Sequence, residues 1–192
     1  MSRSNRERTE QTRQALIDAA RRLFVEKGYA ATATPDIVAA AGVTRGALYH
    51  HFEDKKALFR AVVDREAAAV AEAIETRSSA SASPRQALID GASAYFDAMA
   101  EHGRTQLLLL EAPAVLGPAE AGWIDQENAE ATLRRGLEDY LPGAGPMLEP
   151  LTVLLSAAFD RAASAIAVGG RRDRFEQAIA VLLDGLADQL RR

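Results

Sequence analysis

The chain holds 192 residues, 48% hydrophobic and 26% charged, enough apolar material for one large or two small packed domains, which excludes a disordered tail. Cysteine is absent, so disulfides, thiolate nucleophiles and cysteine-ligated metals are excluded, and a reducing, cytoplasmic setting is expected. The net charge of −4 argues against a nucleic-acid partner, but residues 1–60 carry 11 Lys/Arg and 7 Asp/Glu (net +4) and residues 61–192 carry 12 and 20 (net −8), so a basic head precedes an acidic body and the inference reverses.

Met1 to Arg8 is polar, carries Arg3, Arg6 and Arg8, and lacks apolar periodicity. It reads as a mobile solvated arm, with its arginines in a minor groove as the less favoured reading. No signal-peptide core follows, and the most apolar late stretch is interrupted by Asp160 and Arg161, so a soluble protein without a membrane span is expected. From Thr9 to Lys27, Leu16, Ala20, Leu23 and Phe24 recur at helical spacing and Gly28 closes the helix. Tyr29 is read as core rather than as a phosphate contact.

Thr34 to Phe52, TPDIVAAAGVTRGALYHHF, reads as two short helices around a tight turn. Thr34 is expected as the N-cap, with Pro35 at the first helical position, where its missing N–H costs nothing. Ile37, Val38 and Ala41 form an apolar face, Gly42 supplies the positive φ that ends the helix, and Thr44 caps the next one. That second helix, Arg45 to His51, buries Ala47 and Leu48 with Phe52 behind them. It turns Arg45, Gly46, Tyr49, His50 and His51 outward, in the manner of a DNA-recognition helix. Its donors suit phosphates and base edges, Gly46 leaves the backbone bare for close approach, and Thr34, Thr44, Arg45, Gly46, Tyr49, His50, His51 and Lys55 are the candidate DNA-binding residues. Asp54 is a further N-cap. Lys55 and Lys56 follow in the first turn, where cations oppose the helix dipole, so an anion nearby is expected and Lys55 is assigned to a phosphate.

The run GVTRGALYHHFEDKKALF, preceded by TRQALIDAARRLFVEKGYAATATPDIVAAA, resembles the N-terminal domain of the TetR/AcrR family of bacterial transcriptional regulators. Gly28-Tyr29, Ile37, Ala41-Gly42-Val43, Gly46, Tyr49, Phe52, Lys55 and Leu58 fall in the family's order and spacing. The resemblance implies a three-helix, helix-turn-helix DNA-binding domain over residues 10–70, with the motif at about 33–52. A connecting helix would join it to a larger effector-binding and dimerisation domain over residues 84–192. It also implies a repressor that binds a palindromic operator in double-stranded DNA as a homodimer and is released by a small-molecule effector. The alternative is an architectural or cell-division DNA-binding protein whose body contacts another protein.

Downstream, a helix from near Asp54 through Leu58, Val62, Val63, Ala67 and Val70 to about Thr76 is expected to be the connector, and Ser78 to Ser83 a linker. Ser83 and Pro84 open a helix with Leu88, Ala92, Tyr95 and Met99 on one face, stopping at Gly103. A short helix from Arg104 to about Ala112 follows. Pro113, Gly117, Pro118 and Gly122 break the chain, and Trp123 to Leu141 is predicted to be one helix. After a Pro142 to Pro146 loop, Leu148, Leu151, Leu155, Ala158, Ala162 and Ala165 mark a helix ended by Gly169-Gly170. Phe175, Ile179, Leu182, Leu183, Leu186 and Leu190 mark the last. No strand pattern appears, so the fold is all-α. By resemblance the last two helices pair with their copies in a four-helix interface, for which Leu151, Leu155, Ala158, Ala162, Ile179, Leu182 and Leu186 are the candidates.

The histidines are His50, His51 and His102 alone, and no G-x-S-x-G, Gly-rich phosphate loop or H-E-x-x-H motif occurs, so no catalytic residue, metal or cofactor is expected. The resemblance implies an effector among the body helices. Tyr95, Met99, His102, Trp123 and Phe159 are the candidate contacts, with Phe96, Tyr140 and Met147 as further walls. Asp160, stranded in an apolar helix, is read as an arginine's partner in preference to a contact for a cationic ligand.

Overall fold

The computed structural model describes residues 5–190, and among them there is no strand. The elements are α1 (Asn5–Ala31), α2 (Thr34–Ala41), α3 (Arg45–His51), α4 (Lys55–Ser78), α5 (Pro84–Met99), α6 (Arg104–Gln106), α7 (Ala112–Val115), α8 (Pro118–Gln126), α9 (Ala129–Tyr140), α10 (Leu148–Ala167) and α11 (Arg172–Leu190). The expected arm is corrected in part. Asn5 to Arg8 already belong to α1, whereas Arg3 lies outside the described residues. The chain divides into two compact units, a head made of the chain up to Glu66 together with Gln106–Ala121, and a body made of Ala67–Thr105 with the chain from Gly122 on.

In the head, α1 buries Leu16, Ile17, Ala20 and Phe24, a stripe at three-four spacing. α4 answers with Leu58, Phe59 and Val62, all fully buried. Phe24 and Phe59 meet edge to face at 5.2 Å, and Tyr29 meets Phe59 in the same way at 5.0 Å, the arrangement that ring quadrupoles favour. Tyr29 is half-buried, with its ring packed against the buried rings of Phe24 and Phe59. Arg21 and Glu66 tie the two helices by paired hydrogen bonds of 2.8 and 3.1 Å. The Gly28 φ of 77° breaks the helical run inside α1. The buried Thr32 hydroxyl accounts for the freed carbonyls, donating at 2.8 Å to that of Gly28 and at 3.2 Å to that of Leu23.

The segment Gln106–Ala121 also packs in this unit, although a division by sequence at residues 70 and 84 puts it in the second domain. It is not one short helix. A π turn, Leu107–Glu111, separates α6 from α7, and Leu107, Ala112 and Leu116 are buried. Glu111 accepts the Tyr29 backbone N–H through Oε2 (3.0 Å) and the Gln106 amide through Oε1 (3.0 Å). Pro118 opens α8 instead of breaking the chain, and Gly122 lies within that helix.

In the body, the Ser83 hydroxyl caps α5 by accepting the Gln86 N–H at 3.2 Å. α5 buries Leu88, Ala92, Tyr95 and Met99. It ends at Met99, before Gly103, because Arg104 and Thr105 donate to the Ala98 and Met99 carbonyls, each at 2.8 Å. The single helix expected over Trp123–Leu141 is two. Asn128 leaves the helical region at φ −125°, ψ −103°, and its side chain donates to the Ile124 carbonyl at 2.7 Å. α10 ends where expected, with Gly169 at φ 99° and the Gly170 N–H on the Ala165 carbonyl.

By length and composition the segment Gly145–Ala167 could cross a membrane, at mean hydropathy 1.2. In this fold one face of α10 buries Thr152, Leu155, Ser156, Phe159 and Ala162. The candidate dimer stripe is split accordingly. Leu155, Ala162 and Ile179 lie in the chain's own core and Leu151 and Leu186 are half-buried, while Ala158 and Leu182 face outward. Beside them Leu154 is 68% and Val181 72% exposed, a large apolar face for a folded chain to leave bare.

Candidate nucleic-acid interface and effector cavity

The helix pair α2–α3 is built by local rules. Gly42 sits at φ 66°, ψ 30°, a left-handed conformation that ends α2, and the Val43 N–H returns to the Val38 carbonyl at 3.2 Å. Thr44 restarts the chain, its Oγ1 accepting the Ala47 N–H at 3.2 Å. Thr34 is a correction. The α2 cap is the extended Ala33, without a side-chain bond, and its carbonyl accepts the Asp36 and Ile37 N–H groups at 3.1 and 3.3 Å. Thr34 is the first helical residue, half-buried.

Leu48 and Phe52 are buried, and Thr44, Arg45, Gly46, Tyr49 and His50 are exposed together. The Arg45 guanidinium lies 5.5 Å from the centre of the Tyr49 ring, which holds both side chains over one surface. His51 is half-buried, and burial, with the charges of His50 and Arg13, pushes its pKa below the ordinary value. The ring is thereby biased toward its neutral form in the free protein.

Lys55 has a role that the sequence did not disclose. Its ammonium donates to the Tyr29 and Thr32 carbonyls, each at 2.9 Å, and stands 4.2 Å from the centre of the Tyr29 ring. It closes the end of α1, which accounts for a cation in the first turn of α4 without any external anion. Asp54 caps α4 as expected, accepting the Ala57 N–H at 2.7 Å.

The body holds a half-open cavity of about 410 Å³ between α4, α5, α8, α9 and α10, walled by Ile74, Leu88, Ala92, Tyr95, Leu133 and Phe159. Of the five candidate effector contacts it gathers Tyr95 and Phe159. Met99 is buried elsewhere in the core, and His102 and Trp123 are exposed, Trp123 by 51%. Asp125, Ser156 and Asp160 are among the polar groups on its wall, with Glu75, Arg135 and Asp139 also in the lining. Tyr95 donates to Asp160 at 2.6 Å and Ser156 to Asp125 at 3.0 Å, so the arginine partner expected for Asp160 is replaced by a phenol.

Burial, reinforced by Asp125 and Glu130, pushes the Asp160 carboxyl up to about 6 against the Tyr95 bond. Burial likewise raises Asp125, and burial with the Asp160 charge holds the Tyr95 phenol well above its ordinary range. Ser156 was findable, since it stands one turn before Asp160 on the same face of α10. Asp125 carries no signal in the sequence.

The family model described as "Bacterial regulatory proteins, tetR family" matches residues 16–62, and that described as "Tetracyclin repressor-like, C-terminal domain" matches residues 85–190. The A-factor receptor protein of Streptomyces griseus is 30% identical over 153 residues, 78% of this chain and 53% of that protein. The transcriptional regulator AcrR of Shigella flexneri is 48% identical over 59 residues, 31% of this chain and 27% of AcrR. The chain thus spans about half the length of the first relative and about a quarter of the second. A TetR-family transcriptional regulator from Pectobacterium atrosepticum superposes with a TM-score of 0.70 at 29% identity, covering 98% of this chain and 97% of that one. One from Streptomyces coelicolor, at 20% identity and a TM-score of 0.74 over 95% of this chain and 97% of that one, shares the fold. With both halves matched in order, the chain belongs to the TetR family of bacterial regulatory proteins.

Proposed function

We propose that the protein is a cytoplasmic transcriptional repressor, not an enzyme, that binds a two-fold operator as a homodimer and is released by a small molecule held in the body cavity. The observation that carries this is the surface of α3, where Arg45, Gly46, Tyr49 and His50 stand exposed together on a helix fixed by Gly42 and Thr44. In this reading Arg45 and the bare backbone at Gly46 meet base edges, while Thr44, Tyr49, His50 and His51 hold phosphates. Thr34, half-buried at the first position of α2, is kept as a further DNA contact, and Lys55, which supports the helix pair, keeps one N–H for a phosphate.

One short helix reads too few base pairs alone, so two copies are needed. The exposed face of Ala158, Leu154, Val181 and Leu182 on α10 and α11 is where a second copy buries apolar surface. Regulators and repressors among the relatives give no support to the architectural alternative.

The test is fluorescence anisotropy of the purified protein on DNA flanking its own gene. Arg45→Ala is expected to cost about 1–3 kcal/mol and to relax preference at one position of each half-site. Leu182→Glu is expected to yield monomers without operator affinity. Full affinity in a confirmed monomer overturns the dimeric reading.

A further inference from the structure

Carboxylates outnumber cations on the cavity wall. Glu75, Asp125, Asp139 and Asp160 line it, against Arg135 as the one cation among its lining residues. Arg135 is already ion-paired with Glu75. Asp125 and Asp160 are held by hydroxyl donors, Ser156 and Tyr95, which orient a carboxylate without neutralising it. A hydrophobic helical body gains nothing in stability from two carboxylates facing one apolar hollow, since an unpaired buried charge is costly. The remaining wall suits the same reading. Tyr95 and Phe159 present aromatic rings with centres 5.7 Å apart, and ring faces attract cations.

We propose that the body cavity takes an organic cation, an apolar body of drug size bearing a protonated amine that is received between Asp125 and Asp160. This rests on the reading of the cavity as the effector site and names the class of that effector. Such a cation supplies the charge partner the wall lacks. Its apolar part lies against Leu88, Ala92 and Leu133, and its ammonium replaces the water that the carboxylates give up on burial. An anion is excluded by the same charges, and a neutral ligand leaves them unpaired.

The test uses three probes with one apolar body and different heads: 4-phenylbutylamine, 4-phenylbutanol and 4-phenylbutyrate, titrated calorimetrically into the full-length protein. The amine is expected to bind at least tenfold more tightly than the alcohol, and the acid to bind least. In Asp125→Asn/Asp160→Asn, whose amide oxygens still accept from Ser156 and Tyr95, the amine's advantage is expected to vanish while the alcohol binds as before. Circular dichroism and the alcohol titration show that this variant is folded. Ala92→Leu, which fills the cavity, should abolish binding of all three and so locates the probes.

Equal binding of the three heads, or an amine preference that survives in the double variant, overturns the cation assignment while leaving a ligand-binding cavity. Failure of all three probes to bind overturns the effector reading along with it.

Discussion

Replacing Lys55 by methionine separates two roles for one cation. The substitution keeps a flexible stem over Tyr29 but removes the ammonium that bonds the Tyr29 and Thr32 carbonyls at 2.9 Å each. Hydrogen bonds from charged donors contribute about 1.5–3 kcal/mol each, and a partly exposed cation over a ring about 0.5–1 kcal/mol. Lys55 is half-buried, so water recovers part of the loss at the carbonyls. A net cost of about 2–3 kcal/mol is expected.

With a urea dependence of about 2 kcal/mol per molar, the unfolding midpoint falls by about 1 M or slightly more. Circular dichroism gives the midpoint, and hydrogen exchange of peptides from α1 and α4 assigns the loss to the head. Lys56→Met, which removes an exposed neighbour, is the control and is expected to leave the midpoint in place. If Lys55→Met unfolds with wild type while the salt dependence of operator binding drops by about one charge, the closing role is refuted and Lys55 is a phosphate contact alone.

Two further perturbations follow from the same geometry. Asp160 has its folded pKa raised from 3.8 to about 6, so the folded chain holds a proton that the unfolded chain gives up. That stabilisation is complete below the unfolded value and is lost as pH rises through about 6. Asp160→Asn is therefore expected to be more stable than wild type at pH 8, by up to about 3 kcal/mol, with the gap closing toward pH 4. Thermal unfolding across that range checks it, with Asp125, Glu130 and Tyr95 the titratable groups nearby, and a gap independent of pH refutes it. Gly42→Ala meets no atom within 4 Å of the new Cβ, so its cost is the backbone penalty of the left-handed φ alone, about 1–2 kcal/mol. A loss well outside that range in urea unfolding points to a rearranged turn instead.

The parts of this molecule that were legible in the sequence are those built from neighbours along the chain. Gly42 and Thr44 lie two residues apart and act on carbonyls and amides within five residues of themselves, so the helix pair could be placed from residue types alone. The same holds for Ser83 and Asp54 as caps. Thr34 misled because threonine before proline suits both the cap and the first helical position, and the extended backbone of Ala33 decides between them.

Lys55 was legible as an anomaly but not in its role, since its partners lie 23 and 26 residues away. His102 and Trp123, two of the candidate effector contacts, stand next to Gly103 and Gly122, and both are exposed, as residues near chain breaks tend to be. Asp125 meets Ser156 across 31 residues and Tyr95 meets Asp160 across 65. Pairings of that span are set by packing, which no local pattern records. The seven candidate dimer residues failed to separate into inner and outer faces for a related reason. A helix with apolar residues nearly all round shows no stripe in sequence, and the neighbours decide which side is covered.

The Glu111 carboxylate that receives the Tyr29 amide comes 82 residues later in the chain. A ribosome adding about 5–20 residues per second needs about 4–16 s to cover that distance. Through that interval the nascent head has α1 to α4 but not the segment Gln106–Ala121 that completes its unit. Newly made α5 is out before the head is closed. A fragment cut in the Ser78 to Pro84 linker keeps the recognition helix but lacks the buried Leu107 and Leu116 and leaves the Tyr29 amide without its acceptor. The head is therefore not a cassette to be excised or transplanted at that linker, and a chain stalled in synthesis before Glu111 carries a reading helix on an unfinished support.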